Sequence, residues 1–368
     1  MSKKQNEKQP GLIEKILQAD ISLGSVGLVE KAIFAKHLSV MSKSGMTIND
    51  SLIIIHSSAK GKFKKVLKGL INSVQSGNSL SDSFSRYPKI FNGLFVSAIK
   101  AGEGSGTLEE NFKNLAEQME KEKELSSKIK NALLYPIIVL IAAFFLGMAM
   151  TFLVLPKITP LFEGLKMDLP FTTKALIAFS HFVQSNTQSL IVGILIGIIL
   201  LTWLIKRKFI KPLTHGILLK IPIAKNISKN TNLSRFCRTM GTLLKNGLNI
   251  DEALETTAET MNNYYFKSSL LKVSRRISGG TKISDNLKKY DKLYPLMVIS
   301  MIKIGEESGG LEETLTYLAD FYEVEVENAT KSLTTAIEPL LLLFIGLVVG
   351  FLALSIITPI YSITSGIS

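Results

Sequence analysis

Three glycines at alternate positions within residues 102–106 are the part of this chain that most suggests a chemical role. Glycines spaced in this way let a backbone approach a phosphate closely. A phosphate loop follows a strand and carries a Gly-Lys-Ser/Thr element, but residues 94–101 have a helical pattern and no such lysine follows. The motif returns at residues 305–309, where Glu307 replaces the middle glycine and would repel a phosphate. We therefore predict a tight interhelical turn at both places.

The side chains that could carry out catalysis are scattered along the chain. The single cysteine, Cys237, lies in an apolar helical stripe, where a buried structural thiol is the ordinary outcome. No Gly-x-Ser-x-Gly element or cysteine–histidine pair occurs. The four histidines lack metal-ligand spacing; they are His37, His56, His181 and His215. We predict a protein that is not an enzyme, with no catalytic residue, no cofactor and no metal site.

Glutamates around the two turns are candidates for binding a partner. Each copy of the motif contributes three of them, close to a tight turn and at the start of a helix dense in charge. Carboxylates in such a position attract a basic partner when they are exposed. As a hypothesis, we predict a charged docking surface at Glu103, Glu109, Glu110, Glu306, Glu312 and Glu313.

Small residues are expected to shape these turns and the neighbouring helix ends. Glycine tolerates the left-handed conformation in which helices often end. Thr107 is expected to cap the long helix that follows, and Glu110 to complete a capping box. The predicted structural turns and caps are Gly45, Gly102, Gly106, Thr107, Gly247, Gly305 and Gly309.

The turns belong to a duplication that covers most of the chain. A Phe-to-Gly element of helical spacing begins at Phe34 and again at Phe236, 202 residues later. The two Gly-Glu-x-Ser-Gly motifs are 203 residues apart, which we attribute to one inserted residue near Gly279. Enzymes usually carry one active site, so a duplicated surface favours symmetric docking over catalysis.

Both copies have the pattern of helical bundles. Apolar residues recur at helical spacing, and no alternating stretch is long enough to indicate a strand. Each copy is expected to form a bundle of five or six short helices. The predicted fold class is all-α, a polytopic membrane protein with two homologous cytoplasmic helical bundles and three transmembrane helices.

Composition and hydropathy place part of the chain in lipid. Hydrophobic residues make up 46% of the chain and charged residues only 20%, and the mean hydropathy is +0.27. Apolar runs of about 20 residues can cross a hydrocarbon core of roughly 30 Å. Pro136 and Pro339 are expected to kink the helices at the membrane boundary, since each removes a backbone hydrogen bond. The predicted organisation is a flexible tail over 1–28, the first repeat over 29–131, transmembrane helices over 132–156, 190–206 and 337–360, an external loop over 157–189, the second repeat over 207–336 and an external tail over 361–368.

The distribution of basic residues predicts the orientation. Lysine and arginine total 43 against 30 acidic residues, for a net charge of +13. They cluster beside the repeats and are sparse over 157–189, so the positive-inside rule places both repeats in the cytoplasm. Anionic lipid of the bilayer accounts for the excess of positive charge. Nucleic acid is not expected as a partner, because aromatics are only 8% and form no platform with basic residues.

The paired Phe-to-Gly elements, the paired Gly-Glu-x-Ser-Gly-x-Leu-Glu-Glu elements and the two prolines resemble the type II secretion system F family. This family (GspF/PilC-like) holds inner-membrane platform proteins of type II secretion and type IV pilus machines. The resemblance covers nearly the whole chain, from about residue 29 to 360. A doubled motif with matching spans is specific, whereas a single copy would not be.

The resemblance implies partners and a location as well as a fold. It implies a multi-pass protein of the bacterial inner membrane that associates with itself, with a cytoplasmic hexameric ATPase, with pilins or pseudopilins and with other inner-membrane machine components. The implied role is to couple ATPase movement to the extraction of pilins from the bilayer and their addition to a growing fibre.

Two other functions are compatible with a membrane protein of this composition. A small-molecule permease is disfavoured because the predicted spans lack the ionisable residues that transporters usually need at mid-membrane. A membrane-anchored signalling adaptor agrees with composition and spacing, and only the family resemblance argues against it.

Overall fold

The computed structural model describes residues 26–154, 156–157, 160, 171–205, 207, 210–277 and 279–365. Predictions for residues 1–25, 161–170 and 366–368, which include most of the predicted N-terminal tail, lie outside the described residues. The described part is helical and contains no strand, so the all-α fold class is confirmed.

The first repeat consists of six helices. They are α1 (Leu28–Lys43), α2 (Ile48–Ser58), α3 (Gly61–Gln75), α4 (Leu80–Ser85), α5 (Gly93–Ser105) and α6 (Leu108–Ala149), which continues into a π-helical turn at Met150–Val154. Between the repeats come α7 (Phe171–Ser185), α8 (Thr187–Ile205) and α9 (Lys211–Leu218). The second repeat has α10 (Pro222–Lys245), α11 (Ile250–Thr260), α12 (Tyr264–Ile277), α13 (Ile283–Leu287), a 3₁₀ turn at Lys288–Tyr290, α14 (Leu296–Ser308) and α15 (Leu311–Ser365).

The helix bounds locate the residue by which the two repeats differ. Helices α2 and α11 end at Ser58 and Thr260, 202 residues apart. Helices α3 and α12 begin at Gly61 and Tyr264, 203 residues apart. The extra residue therefore lies between α11 and α12, and the predicted position near Gly279 is wrong. The sequence comparison relied on motifs far to either side, so it could not place the insertion.

An aromatic cluster forms the core of the first repeat. Phe34 on α1 lies at its centre, and its ring centroid is 5.4 Å from that of Phe63, 6.0 Å from Phe84 and 5.8 Å from Phe91. Phe91 and Phe95 are also in contact, with centroids 4.8 Å apart. All five rings are buried, and burial of each such side chain contributes about 1.5–3 kcal/mol to folding.

The second repeat has a related core with one polar change. Phe236 and Phe266 pack edge-on against Tyr294, which stands where the first repeat has Phe91. The buried hydroxyl of Tyr294 is 2.8 Å from the hydroxyl of Ser269, so its hydrogen-bonding capacity is met. Burial raises the pKa of Tyr294, and the residue stays neutral at physiological pH.

Two compact units divide the chain, and their boundaries differ from those of the repeats. One unit contains residues up to Lys123 together with Thr239–Thr260, and the other contains Glu124–Arg238 and the residues from Met261 onward. The division falls inside α6 and inside α10. Part of the second repeat thus belongs to the unit built mainly from the first, because the two repeats share buried contacts there.

Among the described residues, three helices are long enough and apolar enough to cross a membrane: α6, α8 and α15. The chain is therefore described as a multi-pass membrane protein. Helices α6 and α15 continue without interruption through Pro136 and Pro339. The kinks predicted at these prolines stay predictions.

Helix α7 occupies a segment to which the sequence analysis assigned no helix. It spans Phe171–Ser185 within residues 157–189 and packs against α15 and α8. Phe179 and Phe182 are three residues apart and so fall on one side of the helix. That spacing was the available signal, and the polar residues between them obscured it.

Two ion pairs meet at Glu327 just before the apolar segments: Lys128 links α6 to α15, and Lys331 pairs with Glu327 within α15. Lys128 Nζ lies 2.8 Å from one oxygen of Glu327, and Lys331 Nζ lies 2.9 Å from the other. The hydrogen bond from Lys128 and that from Lys331 lower the pKa of Glu327 from 4.5 to about 2. The stabilisation by these ion pairs is complete above pH 4.5 and is lost as the pH falls towards 2. Nearby, the Thr334 hydroxyl donates to the carbonyl oxygen of Ala132 at 3.2 Å.

Candidate docking surface

The first glycine of each Gly-Glu-x-Ser-Gly motif lies at a close crossing of two helices. A Cβ atom on Gly102 would lie 2.9 Å from Asn111 Nδ2 and 3.2 Å from the Cα atom of Leu108. A Cβ atom on Gly305 would lie 2.9 Å from the Cα atom of Leu311. Only glycine lets α5 approach the start of α6, and α14 the start of α15, as closely as this.

The last glycine of each motif ends its helix in the left-handed conformation. Gly106 follows α5 with φ of +75°, and Gly309 follows α14 with φ of +76°. Gly45 and Gly247, after α1 and α10, have φ of +78° and +82°. A β-carbon at such a position costs on the order of 1 kcal/mol.

Thr107 occupies the N-cap position of α6 through its backbone. Its carbonyl oxygen accepts the N–H of Asn111 at 3.0 Å, which closes the first helical turn. Its hydroxyl lies 2.7 Å from the hydroxyl of Ser105. Within the described part of the chain, no hydrogen bond links this hydroxyl to Glu110, so the expected capping box is not formed there.

The glutamate of each motif caps a short helix earlier in the same repeat. The carboxylate of Glu103 accepts the backbone N–H groups of Leu80 at 2.5 Å and Ser81 at 2.9 Å. Glu306 accepts those of Ile283 at 2.5 Å and Ser284 at 3.1 Å. These carboxylates satisfy backbone donors at the starts of α4 and α13 that would otherwise lack a partner. Glu103 and Glu306 are thus engaged within the fold, which leaves little of either carboxylate for a partner.

The other four predicted docking residues lie in the first turns of the two long helices. We call these four the acidic first turns: Glu109 and Glu110 on α6, and Glu312 and Glu313 on α15. Glu312 is half-buried and the other three are exposed. Across the described residues, none of these carboxylates forms an ion pair or a hydrogen bond. Each pair remains available to a basic partner.

One ion pair is repeated in both copies and links the long helix to the first helix of its bundle. Lys36 Nζ on α1 lies 3.1 Å from Glu120 on α6. At the equivalent positions, Arg238 Nη2 on α10 lies 2.7 Å from Glu323 on α15, and Arg238 also pairs with Asp320. The Lys36–Glu120 pair is exposed and contributes at most about 1 kcal/mol, whereas the Arg238–Glu323 pair is largely shielded from solvent.

The first unit contains a line of buried polar contacts, which we call the polar seam. It joins α5 and α6 of the first repeat to α10 and α11 of the second. Asn114 Nδ2 donates to Asn246 Oδ1 at 2.7 Å, and Gln118 bonds to the hydroxyls of Thr239 at 3.3 Å and Thr242 at 3.2 Å. Sequence reasoning missed these residues, since amides and hydroxyls on helices are usually exposed to solvent.

Groups for other chemistry are not assembled in the described residues. No cluster of three or more histidine, cysteine, aspartate or glutamate side chains there could hold a metal ion. Cys237 is buried, as predicted, and burial raises the pKa of its thiol. A buried thiol with a raised pKa is a poor nucleophile.

Comparison with known proteins explains the doubled architecture. The family model for the type II secretion system (T2SS), protein F, matches residues 34–156 and again residues 236–359. The chain belongs to the type II secretion system protein F family. The two matches confirm both the resemblance and the internal repeat.

Several curated members of the type II secretion system protein F family align over nearly their whole length. The type IV pilus assembly protein PilC of Thermus thermophilus is 34% identical over 98% of this chain and 89% of its own length. PilC of Myxococcus xanthus is 32% identical over 96% of this chain and 86% of its own length. The type II secretion system protein F of Aeromonas hydrophila is 28% identical over 91% of this chain and 87% of its own length.

Proposed function

We propose that this chain is the inner-membrane platform protein of a type IV pilus or type II secretion machine. The observation that carries the proposal is the double family match, in which each repeat continues into an apolar helix able to cross a membrane. Relatives named for pilus assembly and for type II secretion align with almost the whole chain. The role is that of a scaffold and not of an enzyme.

The platform couples a cytoplasmic hexameric ATPase to the addition of pilins or pseudopilins, and it works with other inner-membrane components of the machine. The acidic first turns support the ATPase as a partner, because they are carboxylates at the head of each long helix with no ion pair among the described residues. A single helix joins each of these turns to an apolar segment, so an event at the turn is connected to the membrane through continuous backbone. The platform also associates with itself.

A deletion strain tests the platform role. Without this chain, we expect at least a tenfold loss of surface fibres or of machine-dependent secretion, with the pilin retained unassembled in the membrane. A plasmid copy of the wild-type chain should restore assembly. Fibre number and secretion at wild-type levels in the deletion strain would reject the proposal.

The orientation of the platform follows from the basic residues and is tested by cysteine labelling. We place both repeats in the cytoplasm and the segment containing α7 outside. In a Cys237→Ser background, Ser185→Cys should react with an impermeant maleimide in intact cells. Ser105→Cys and Ser308→Cys, at equivalent exposed positions of the two repeats, should react only after the membrane is opened. The reverse pattern would invert the orientation.

A further inference from the structure

The polar seam joins unlike surfaces of the two repeats. We call the surface of α1 and α2, or of α10 and α11, the front face of a repeat, and the surface of α5 and α6, or of α14 and α15, its back face. In the seam, the back face of the first repeat meets the front face of the second. Both repeats have the same helices in the same order, so each has a front face and a back face. The front face of the first repeat and the back face of the second take no part in the seam.

The front face of the first repeat has exposed apolar residues at positions where the front face of the second repeat has polar residues within the seam. Val40 corresponds to Thr242 of the seam and is 58% exposed. Ile54 corresponds to Thr256, and its exposure is 43% against 7% for the threonine. In the seam, the Thr256 hydroxyl lies 3.3 Å from the hydroxyl of Ser97. At these two positions the open face exposes apolar side chains where the seam forms hydrogen bonds, while the counterparts of Thr239 and Asn246 are the polar residues His37 and Ser44.

The back face of the second repeat likewise has exposed apolar residues where the back face of the first repeat has residues packed in the seam. Tyr317 is 55% exposed, whereas its counterpart Asn114 is 4% exposed and bonded within the seam. Leu296 is 76% exposed and corresponds to Gly93, which packs closely against Glu259. Scattered apolar residues on a surface need no explanation, but two matched sets on the two faces that the described residues leave open do.

We propose that the back face of the second repeat docks on the front face of the first repeat in another copy of this chain. A second copy is the occupant that the structure favours, because the two open faces are the two halves of a contact that the chain already makes internally. Val40 and Ile54 on one face, and Leu296 and Tyr317 on the other, would bury apolar surface in this contact, which drives association.

The contact is head-to-tail, and this distinguishes it from a two-fold dimer. In a two-fold dimer the same patch faces itself, whereas here each chain uses one face to bind the preceding copy and the other to bind the next. Two chains joined in this way still expose one face of each kind. Assembly then continues until the chains close into a ring or are capped by another component.

The inference names the surface for the self-association proposed above and rests on that part of the proposed function. It does not depend on the ATPase or the pilins. Failure of the surface would leave the deletion and topology results unchanged, so the two ideas fail separately.

Crosslinking between differently tagged full-length chains tests the proposal in native membranes. By equivalence with the Ser97–Thr256 contact, Ser300 of one chain should lie beside Ile54 of the next. Chains carrying Ile54→Cys and Ser300→Cys with different tags, both with Cys237→Ser, are expressed together and treated with a short bismaleimide. A mixed dimer carrying both tags is expected, at least five times more abundant than any dimer of either variant alone.

Two controls make the result specific. A chain carrying both Ser97→Cys and Thr256→Cys should crosslink within itself, and detection of that linked peptide pair by mass spectrometry verifies the geometry of the seam. Ser105 is exposed but lies outside the two open faces, which are the front face of the first repeat and the back face of the second. A chain with Ser105→Cys should therefore give no mixed dimer with an Ile54→Cys chain. Adding Leu296→Asp to the Ser300→Cys chain should reduce the mixed dimer several-fold.

Three outcomes would overturn the proposal. In the first, the mixed dimer of Ile54→Cys and Ser300→Cys chains is no more abundant than the one formed with Ser105→Cys. In the second, Ile54→Cys chains alone give as much dimer as the mixture. In the third, Leu296→Asp leaves the amount of mixed dimer unchanged. If copies of the chain still co-purify in the first case, self-association stands but uses another surface.

Discussion

Replacing Gly305 by valine is expected to destabilise the second unit by about 3 kcal/mol, the upper end of what overpacking usually costs. The new Cβ atom would lie 2.9 Å from the Cα atom of Leu311 and 2.9 Å from Thr314 Oγ1. The threonine side chain can rotate, but the backbone at Leu311 cannot move unless α15 shifts away from α14. Thermal denaturation of the full-length protein in detergent, followed by size-exclusion chromatography, measures the effect as a clearly lower melting temperature.

Gly104→Ala is the control for this glycine substitution. Gly104 is exposed within α5, and a Cβ atom there would meet nothing within 4 Å. Alanine favours a helix over glycine by about 0.5–1 kcal/mol, so this variant should melt at or above the wild-type temperature. If Gly305→Val melted like Gly104→Ala, the close approach of α14 to α15 would not contribute to stability.

Reversing charge in both acidic first turns is expected to abolish fibre assembly while leaving the protein folded. In the double variant Glu109→Lys with Glu312→Lys, capture of the ATPase should fall at least tenfold. Glu109 is exposed and Glu312 half-buried, and the helix-dipole contribution lost at each is about 0.3–1 kcal/mol, whereas loss of a docking charge can cost about 2–5 kcal/mol because its partner is left unpaired. Co-purification of the ATPase from membranes, together with a fibre count, provides the measurement.

Two matched variants separate docking from helix stability. Glu30→Lys with Glu252→Lys reverses exposed charges in the first turns of α1 and α11, with a similar helix-dipole cost of about 0.3–1 kcal/mol each. This control should capture the ATPase normally. Glu306→Gln should instead lower the melting temperature, because it weakens the cap on α13.

Normal capture and normal fibres in the Glu109/Glu312 variant would eliminate the acidic first turns as the ATPase site. The next candidate would be the exposed basic surface around Lys60, Lys64 and Lys68.

Features set by local chemistry could be predicted from the sequence. The all-α class follows from apolar spacing within single helices, and the helix ends at Gly45 and Gly247 follow from the conformational freedom of glycine. The two halves could be recognised because motifs recur at nearly constant separation. Each of these inferences depends on residues within a few positions of one another, or on direct comparison of the copies.

Features set by contacts between distant residues could not be predicted. Glu103 looks like a surface acid, yet it caps a helix 22 and 23 residues earlier in the chain, and no local pattern reveals those donors. Asn114 and Asn246 meet across 132 residues of sequence. An amide side chain on a helix is expected to face solvent unless its partner is known. The polar seam and the division into units therefore could not be predicted from the sequence.

The 55-residue length of α15 has a mechanical consequence. Glu312 precedes the predicted membrane boundary at residue 337 by 25 residues, which is about 38 Å of helical rise at about 1.5 Å per residue. Glu109 precedes the boundary of the first span at residue 132 by 23 residues, or about 35 Å by the same rise. The two arms are thus nearly equal in length. A tilt of either helix by about 5° at the membrane boundary would displace its first turn sideways by about 3 Å, which is one hydrogen-bond length. A small change of helix tilt in the membrane is therefore enough to make or break a contact at the acidic first turns.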